Sequence, residues 1–228
     1  MKILLIFILL ISSSIAVQAQ TAKGSFKKAT EAAKAGNYQE ALALYQKALE
    51  TIDSNGSPIF LARIHYNLGV CYFHTNQPAL AVKEYERAIE LSGGTFERAF
   101  RALGLAQREL KNWKAAKEAF IKAVRVSNER DGEAWFDLAM VLIEEKDFTS
   151  AAEAFKQAIK NKSIALPASH NNLGVILALN GDFAAAEKEF QIALQKSDGK
   201  FSEARNNLDF CYQRAMNREL RAKLKFGR

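Results

Sequence analysis

A repeat of about 35 residues constrains this 228-residue chain more than any other feature of its sequence. Five alanines mark the repeat; an aromatic residue follows each after four residues, and a second alanine follows after three more. The sets are Ala41, Ala81, Ala116, Ala151 and Ala186, then Tyr45, Tyr85, Phe120, Phe155 and Phe190, then Ala48, Ala88, Ala123, Ala158 and Ala193. Spacings of three and four place these side chains on one face of a helix.

A second helical pattern precedes each of the last four blocks, where a leucine is followed by a small residue. These pairs are Leu68-Gly69, Leu103-Gly104, Leu138-Ala139 and Leu173-Gly174. Turn-forming pairs separate the two patterns at Gly36-Asn37, Asn76-Gln77, Lys111-Asn112, Lys146-Asp147 and Gly181-Asp182. Each repeat is therefore predicted to be two helices joined by a short turn, and one repeat cannot bury its apolar face without a neighbour.

This pattern resembles the tetratricopeptide repeat family. The fourth repeat carries the resemblance best, through Trp135, Leu138, Ala139, Phe148, Ala151, Phe155 and Ala158. The resemblance implies an all-α, right-handed solenoid of helix-turn-helix repeats with a C-terminal capping helix. Within residues 20–200 we expect five repeats, at about 22–55, 58–92, 95–127, 131–163 and 166–198. A capping helix with a basic tail is expected at 201–228.

The N-terminal residues 1–19 have the pattern of a secretory signal peptide. Lys2 precedes the apolar run Ile3–Ile11, and small residues at Val17 and Ala19 favour cleavage before Gln20. An apolar run of this length is short for a membrane span, which needs roughly 20 residues. Extension through the serines to Val17 would instead give an uncleaved anchor. We expect an exported chain, periplasmic or secreted, that contacts a membrane only through such an anchor or through a basic tail.

Catalytic, metal and cofactor motifs do not occur in the sequence. It contains no Gly-rich phosphate loop, no HExxH and no G-x-S-x-G. Cys71 and Cys211 lie four repeats apart, too far for a disulfide in an open solenoid, so buried free thiols are expected. His65 and His170 share the position of Trp135 and are expected to be half-buried packing residues. The chain is predicted to be no enzyme, to need no cofactor and to bind no nucleic acid, because its basic residues lack interleaved aromatics.

The family resemblance implies that the first helix of each repeat lines a groove where a peptide or a partner helix docks. The candidate partner-binding residues are Arg63, Tyr66, Asn67, Val70, Phe73, Arg98, Arg101, Leu105, Phe136, Met140, Asn172 and Val175. One position is apolar throughout, in Val70, Leu105, Met140, Val175 and Phe210. An exposed apolar row would mark a partner site, whereas a row buried between helices would only be packing.

Two further features bear on the partner. Asn67, Asn172 and Asn207 share the position from which some superhelical members of the family hold a peptide backbone by side-chain amides. The alternative function is attachment to anionic lipid or glycan through the basic C-terminal helix. Its cations are Arg214, Arg218, Arg221, Lys223, Lys225 and Arg228. The first hypothesis makes the protein an interaction scaffold, the second an envelope-surface binder.

Overall fold

The computed structural model describes residues 21–52 and 57–213. These residues form eleven α-helices and no strand, which confirms the all-α fold class. The first helix, α1, covers residues 21–34. The others are α2 (Tyr38–Thr51), α3 (Pro58–His74), α4 (Pro78–Leu91), α5 (Glu97–Glu109), α6 (Trp113–Val126), α7 (Gly132–Glu144), α8 (Phe148–Lys160), α9 (Leu166–Leu179), α10 (Phe183–Lys196) and α11 (Ser202–Tyr212). The predicted signal segment and the basic tail from Arg214 onward lie outside the described residues.

The chain forms two compact units, one ending at Ala119 and the other beginning at Phe120, with the boundary inside α6. In the first unit α3 packs on both α2 and α4, and α4 packs on α5. In the second unit α7 packs on α8, α8 on α9, α9 on α10, and α10 on α11. Each described helix in these series therefore covers the apolar face of the next, as hairpin repeats require.

The alanine–aromatic–alanine blocks form the core of both units. Every one of the fifteen residues is buried, with at most 3% of any side chain exposed. Small residues on the preceding helix let the rings approach. A Cβ added at Gly69 would lie 2.5 Å from Cε1 of Tyr85, and one added at Gly174 would lie 2.7 Å from Cε1 of Phe190. The repeated small residues thus fix the distance between the two helices of a hairpin.

The turns inside the hairpins follow the turn-forming pairs of the sequence. The first residue of each pair has a positive φ: Gly36 (82°), Asn76 (59°), Lys111 (60°), Lys146 (62°) and Gly181 (90°). At the end of α7 the Lys146 N–H donates to Ile143 O and the Asp147 N–H donates to Leu142 O, both at 2.9 Å. This is the Schellman pattern that ends a helix. Asp147 then caps α8, since its Oδ1 accepts from the Ser150 N–H at 3.1 Å.

Candidate partner-binding surface

Eight of the twelve predicted partner-binding residues lie on α3 and α5 of the first unit. We call this set the α3–α5 surface: Arg63, Tyr66, Asn67, Val70, Phe73, Arg98, Arg101 and Leu105. Spacings of three and four residues hold the α3 members on one stripe of their helix, and α5 contacts α3 directly. Arg63 and Arg98 are exposed and the other six are half-buried. All eight side chains therefore keep surface that a partner can reach.

Packing against other aromatic rings and the core holds the aromatic part of the α3–α5 surface in place. The ring of Tyr66 lies 5.0 Å from that of Phe96 and 5.9 Å from that of Tyr85, measured between centroids. Val70 and Phe73 pack against the core cluster that contains Tyr85. Burial raises the pKa of the Tyr66 phenol, and the nearby cations of Arg98 and Arg101 oppose that rise. Rigid aromatic and aliphatic side chains here stand next to cationic groups.

A cleft of about 450 Å³ adjoins this surface, where the first turns of α3 and α5 meet the loop between α4 and α5. Its lining residues are Ile59, Ala62, Arg63, Ser92, Thr95, Phe96, Glu97 and Arg98. The guanidinium of Arg63 also lies over the ring of Phe26, 5.2 Å from its centroid, a distance typical of a cation–π contact. Neither Ile59 nor Phe96 occupies a groove-facing position of the repeat, so the sequence pattern gives no signal for them.

The second unit does not reproduce this surface. Phe136 is half-buried, with its ring 5.8 Å from that of Phe155, and Met140 is half-buried as well. Asn172 and Val175 are completely buried. The expectation that these last two line an open groove is wrong. Val175 belongs to a core cluster with Phe190, Leu208 and Cys211, so the capping helix covers it.

Buried amides explain the position of Asn172. Asn207 Nδ2 of α11 donates to Asn171 Oδ1 at 2.9 Å, and Asn171 Nδ2 donates to Asn172 Oδ1 at 3.1 Å. Asn172 Nδ2 in turn donates to the Met140 sulfur at 3.4 Å. The chain of contacts links α11, α9 and α7 in the interior. The prediction that Asn172 and Asn207 hold a peptide backbone is therefore wrong, because their amides bind other side chains of this protein and lie away from solvent.

The apolar row is accordingly not continuous at the surface. Val70, Leu105, Met140 and Phe210 are half-buried, whereas Val175 is sealed. The asparagine position also differs between the units, because Asn67 on α3 is half-buried whereas Asn172 and Asn207 are buried. The first unit therefore retains the predicted combination of apolar and amide groups, whereas the second unit buries Asn172 and Val175 in its own packing.

The histidines and cysteines have structural partners or are buried. His65 Nδ1 lies 2.7 Å from Glu84 Oε2, and His170 Nδ1 lies 2.7 Å from Glu189 Oε2. Each pair joins the two helices of one hairpin. Cys71 and Cys211 are buried free thiols, as predicted. Burial raises the pKa of the Cys71 thiol to about 11, and burial together with the charge of Glu187 does the same for Cys211.

Within residues 21–52 and 57–213, no three His, Cys, Asp or Glu side chains are placed to hold a metal ion. None of the helices in these ranges is long and apolar enough to cross a bilayer.

Comparison with known proteins agrees with the repeat pattern. Two family profiles, both described as tetratricopeptide repeat, match the chain, one at residues 22–92 and the other at residues 101–164 and 147–201. No curated protein matches the sequence.

Solved structures of the same fold are numerous. PilF from Pseudomonas aeruginosa is 18% identical with a TM-score of 0.73, covering 91% of this chain and 90% of PilF. MamA (41-end) from Desulfovibrio magneticus RS-1 is 16% identical with a TM-score of 0.67, covering 79% and 97%. YrrB, a TPR protein with an unusual peptide-binding site, is 24% identical with a TM-score of 0.63, covering 83% and 93%. At these identities the similarities show the fold, a solenoid of helical hairpins.

Proposed function

We propose that this chain, which belongs to the tetratricopeptide repeat family, is a non-catalytic adaptor that binds an extended peptide or a partner helix on the α3–α5 surface. The observation that carries the proposal is the accessibility of all eight side chains on that surface. Their apolar, aromatic and cationic groups adjoin each other on two neighbouring helices. In the second unit, Phe136 and Met140 are half-buried and keep some exposed surface.

The chemistry of the surface suits a polypeptide better than a small substrate. Tyr66 and Phe73 supply large apolar area on rings that are already held in place, so little conformational entropy is lost on binding. The arginines add charge that selects and orients a partner. A half-buried amide such as that of Asn67 can donate to a peptide carbonyl and accept from a peptide N–H. Amphipathic helices and extended segments are recognised by this combination of contacts.

The same proposal places the adaptor outside the cytoplasm. Its support is the sequence of residues 1–19, in which Lys2 precedes an apolar run and small residues precede Gln20. An adaptor in that compartment would join other exported proteins without consuming a nucleotide or a cofactor.

Peptide selection tests the proposed function. The immobilised full chain would be challenged with a random peptide display library, and recovered peptides would be measured by fluorescence anisotropy. We expect peptides whose affinity falls at least tenfold on Leu105→Asp. Leu80→Asp is the matched control, because Leu80 is exposed on α4 of the same unit. Leu105→Ala repeats the test should the charged variant lose helical content. Failure to recover any peptide, or equal binding by all three variants, would contradict the proposal.

A further inference from the structure

The cleft between α3 and α5 has two kinds of wall. Ile59, Ala62 and Phe96 give it an apolar side. Ile59 is 56% exposed, so its side chain is open to a partner. Arg63 and Arg98 line the same cleft and are both exposed. The volume of about 450 Å³ is large enough for one bulky side chain and the backbone that carries it.

The loop between α4 and α5 shapes this cleft. Gly93 and Gly94 have φ values of 62° and 76°, which turn the chain sharply after α4. The Gly94 N–H donates to Ile89 O at 2.9 Å, and Thr95 Oγ1 donates to Ser92 O at 2.8 Å. These bonds fix the loop, and Thr95 and Phe96 are its last two residues before α5. The apolar wall is therefore preorganised, because a hydrogen-bonded loop holds Phe96 and helix α3 holds Ile59 and Ala62.

The charges around the cleft favour an occupant of negative charge. The lining of the cleft contains two arginines and one acidic residue, Glu97. Arg101 adds a further cation near Tyr66. A guanidinium binds a carboxylate through parallel N–H donors, and such charge-assisted bonds are stronger than neutral ones. A second copy of this chain, with a formal net charge of +7, is a poor match for that field. An acidic partner complements it.

We propose that the cleft binds an acidic segment of a partner protein in which a Glu or Asp lies next to a bulky apolar residue. The carboxylate binds Arg63 and Arg98, and the apolar side chain packs against Ile59, Ala62 and Phe96. This inference rests on the proposed function, since the segment would continue along the α3–α5 surface. It adds the feature that selects among partners: a carboxylate and an apolar side chain must arrive together.

Titration by nuclear magnetic resonance tests the pairing of the two groups. The probes are three ten-residue peptides in a Gly/Ser background, carrying Glu-Phe, Gln-Phe or Glu-Ser at the centre, added to the ¹⁵N-labelled full chain. We expect the Glu-Phe peptide to shift the backbone amides of Ile59, Glu97 and Arg98. Both other peptides should bind at least fivefold more weakly, because each lacks one of the two contacts.

Variants of the protein test the walls of the cleft separately. Arg98→Gln and Ile59→Ser should each weaken binding of the Glu-Phe peptide at least fivefold. The matched controls are Lys83→Gln, an exposed cation on α4, and Leu80→Ser, an exposed apolar residue on α4. Neither control should change the affinity. Thermal unfolding followed by circular dichroism would check that the variants keep their helices.

The outcomes separate this inference from the proposed function. Equal binding of the Glu-Phe and Gln-Phe peptides would overturn the inference. An affinity for the Glu-Phe peptide that neither Arg98→Gln nor Ile59→Ser changes would overturn it too. No shift with any of the three peptides would overturn it as well. Library peptides that bind through Leu105 would still uphold the proposed function in all these cases. A library that yields no binding peptide would remove the basis of both.

Discussion

Replacing Gly69 by alanine measures how closely the two helices of a hairpin must approach. The added Cβ would lie 2.5 Å from Cε1 and 2.7 Å from Cδ1 of Tyr85. Carbon atoms in favourable contact are about 3.5–4.0 Å apart, so the ring would have to withdraw by about 1 Å. Tyr85 is 3% exposed and packed in the core. Overpacking of this kind costs about 1–3 kcal/mol.

Part of that cost is offset by the backbone. Alanine is more favourable than glycine inside a helix by about 1 kcal/mol. Gly24→Ala is the matched control, since Gly24 lies in α1 of the same unit with no heavy atom within 4 Å of an added Cβ. Gly24→Ala should stabilise the chain by about 0.5–1 kcal/mol. Gly69→Ala should be less favourable than this control by about 1–3 kcal/mol, the cost of the clash.

Urea unfolding followed by circular dichroism at 222 nm gives the two free energies of unfolding. The fourth repeat has Ala139 at the position of Gly69, so we expect a weaker structure and not a loss of the fold. Equal stabilisation by Gly69→Ala and Gly24→Ala would show that the Tyr85 ring does not require a glycine at position 69. A double-mutant cycle with Tyr85→Leu should show a coupling of at least about 0.5 kcal/mol, because the two side chains would touch.

The remaining stability predictions concern the second unit and the buried thiols. Asn207→Ala removes the donor to Asn171 Oδ1 and should lower the free energy of unfolding by about 1–3 kcal/mol; the exposed Asn206→Ala should change it by less than about 0.5 kcal/mol. An unchanged stability of Asn207→Ala would contradict a structural role for the amide chain. Burial in the folded state raises the pKa of the Cys71 thiol from its ordinary value of 9.0 to about 11. The folded state therefore favours the neutral thiol, and the stabilisation present below pH 9 is lost as the pH rises towards 11. Unfolding measured from pH 8 to pH 11 should show a smaller decline for Cys71→Ala than for the unaltered chain, and parallel curves would contradict this assignment.

The hairpin core could be predicted from the sequence because its signal is local and recurs. The spacing of Ala151, Phe155 and Ala158 already places them on one helical face. Five occurrences of this spacing exclude accident, and burial of all fifteen residues follows from the need to cover that face. The turns could be predicted for a similar reason. Pairs such as Gly181-Asp182 favour a left-handed residue followed by a helix cap, which is how the chain uses them.

The candidate site could be predicted only where a helix has distinct faces. The stripe on α3 carries both polar and apolar residues, and the structure leaves it accessible. The sequence of α9, LPASHNNLGVILAL, is largely apolar and has no distinct polar face, which favours burial of the whole helix. That composition was the signal against placing Asn172 and Val175 in a groove. Equivalent positions in a repeat do not imply equivalent exposure, because α11 covers Val175 in the second unit.

The cleft could not be predicted from the repeat pattern. Ile59 and Phe96 are brought to one place by the loop between α4 and α5, and the direction of that loop depends on the backbone at Gly93 and Gly94. The pair Gly-Gly indicates a turn without stating which side chains the turn brings together. A volume formed by two separate segments, 59–63 and 92–98, is a property of the fold and not of either segment.

Photo-crosslinking tests the central claim, docking on the α3–α5 surface, most directly. A benzophenone amino acid would replace Tyr66 in one sample of the full chain and Leu80 in another, and each would be irradiated with a peptide recovered from the library. Tyr66 lies on the proposed docking surface, whereas Leu80 is exposed on α4 of the same unit. We expect mass spectrometry to find the peptide bound covalently at position 66 and absent at position 80. Equal labelling at both positions, or labelling at position 80 alone, would contradict the claim.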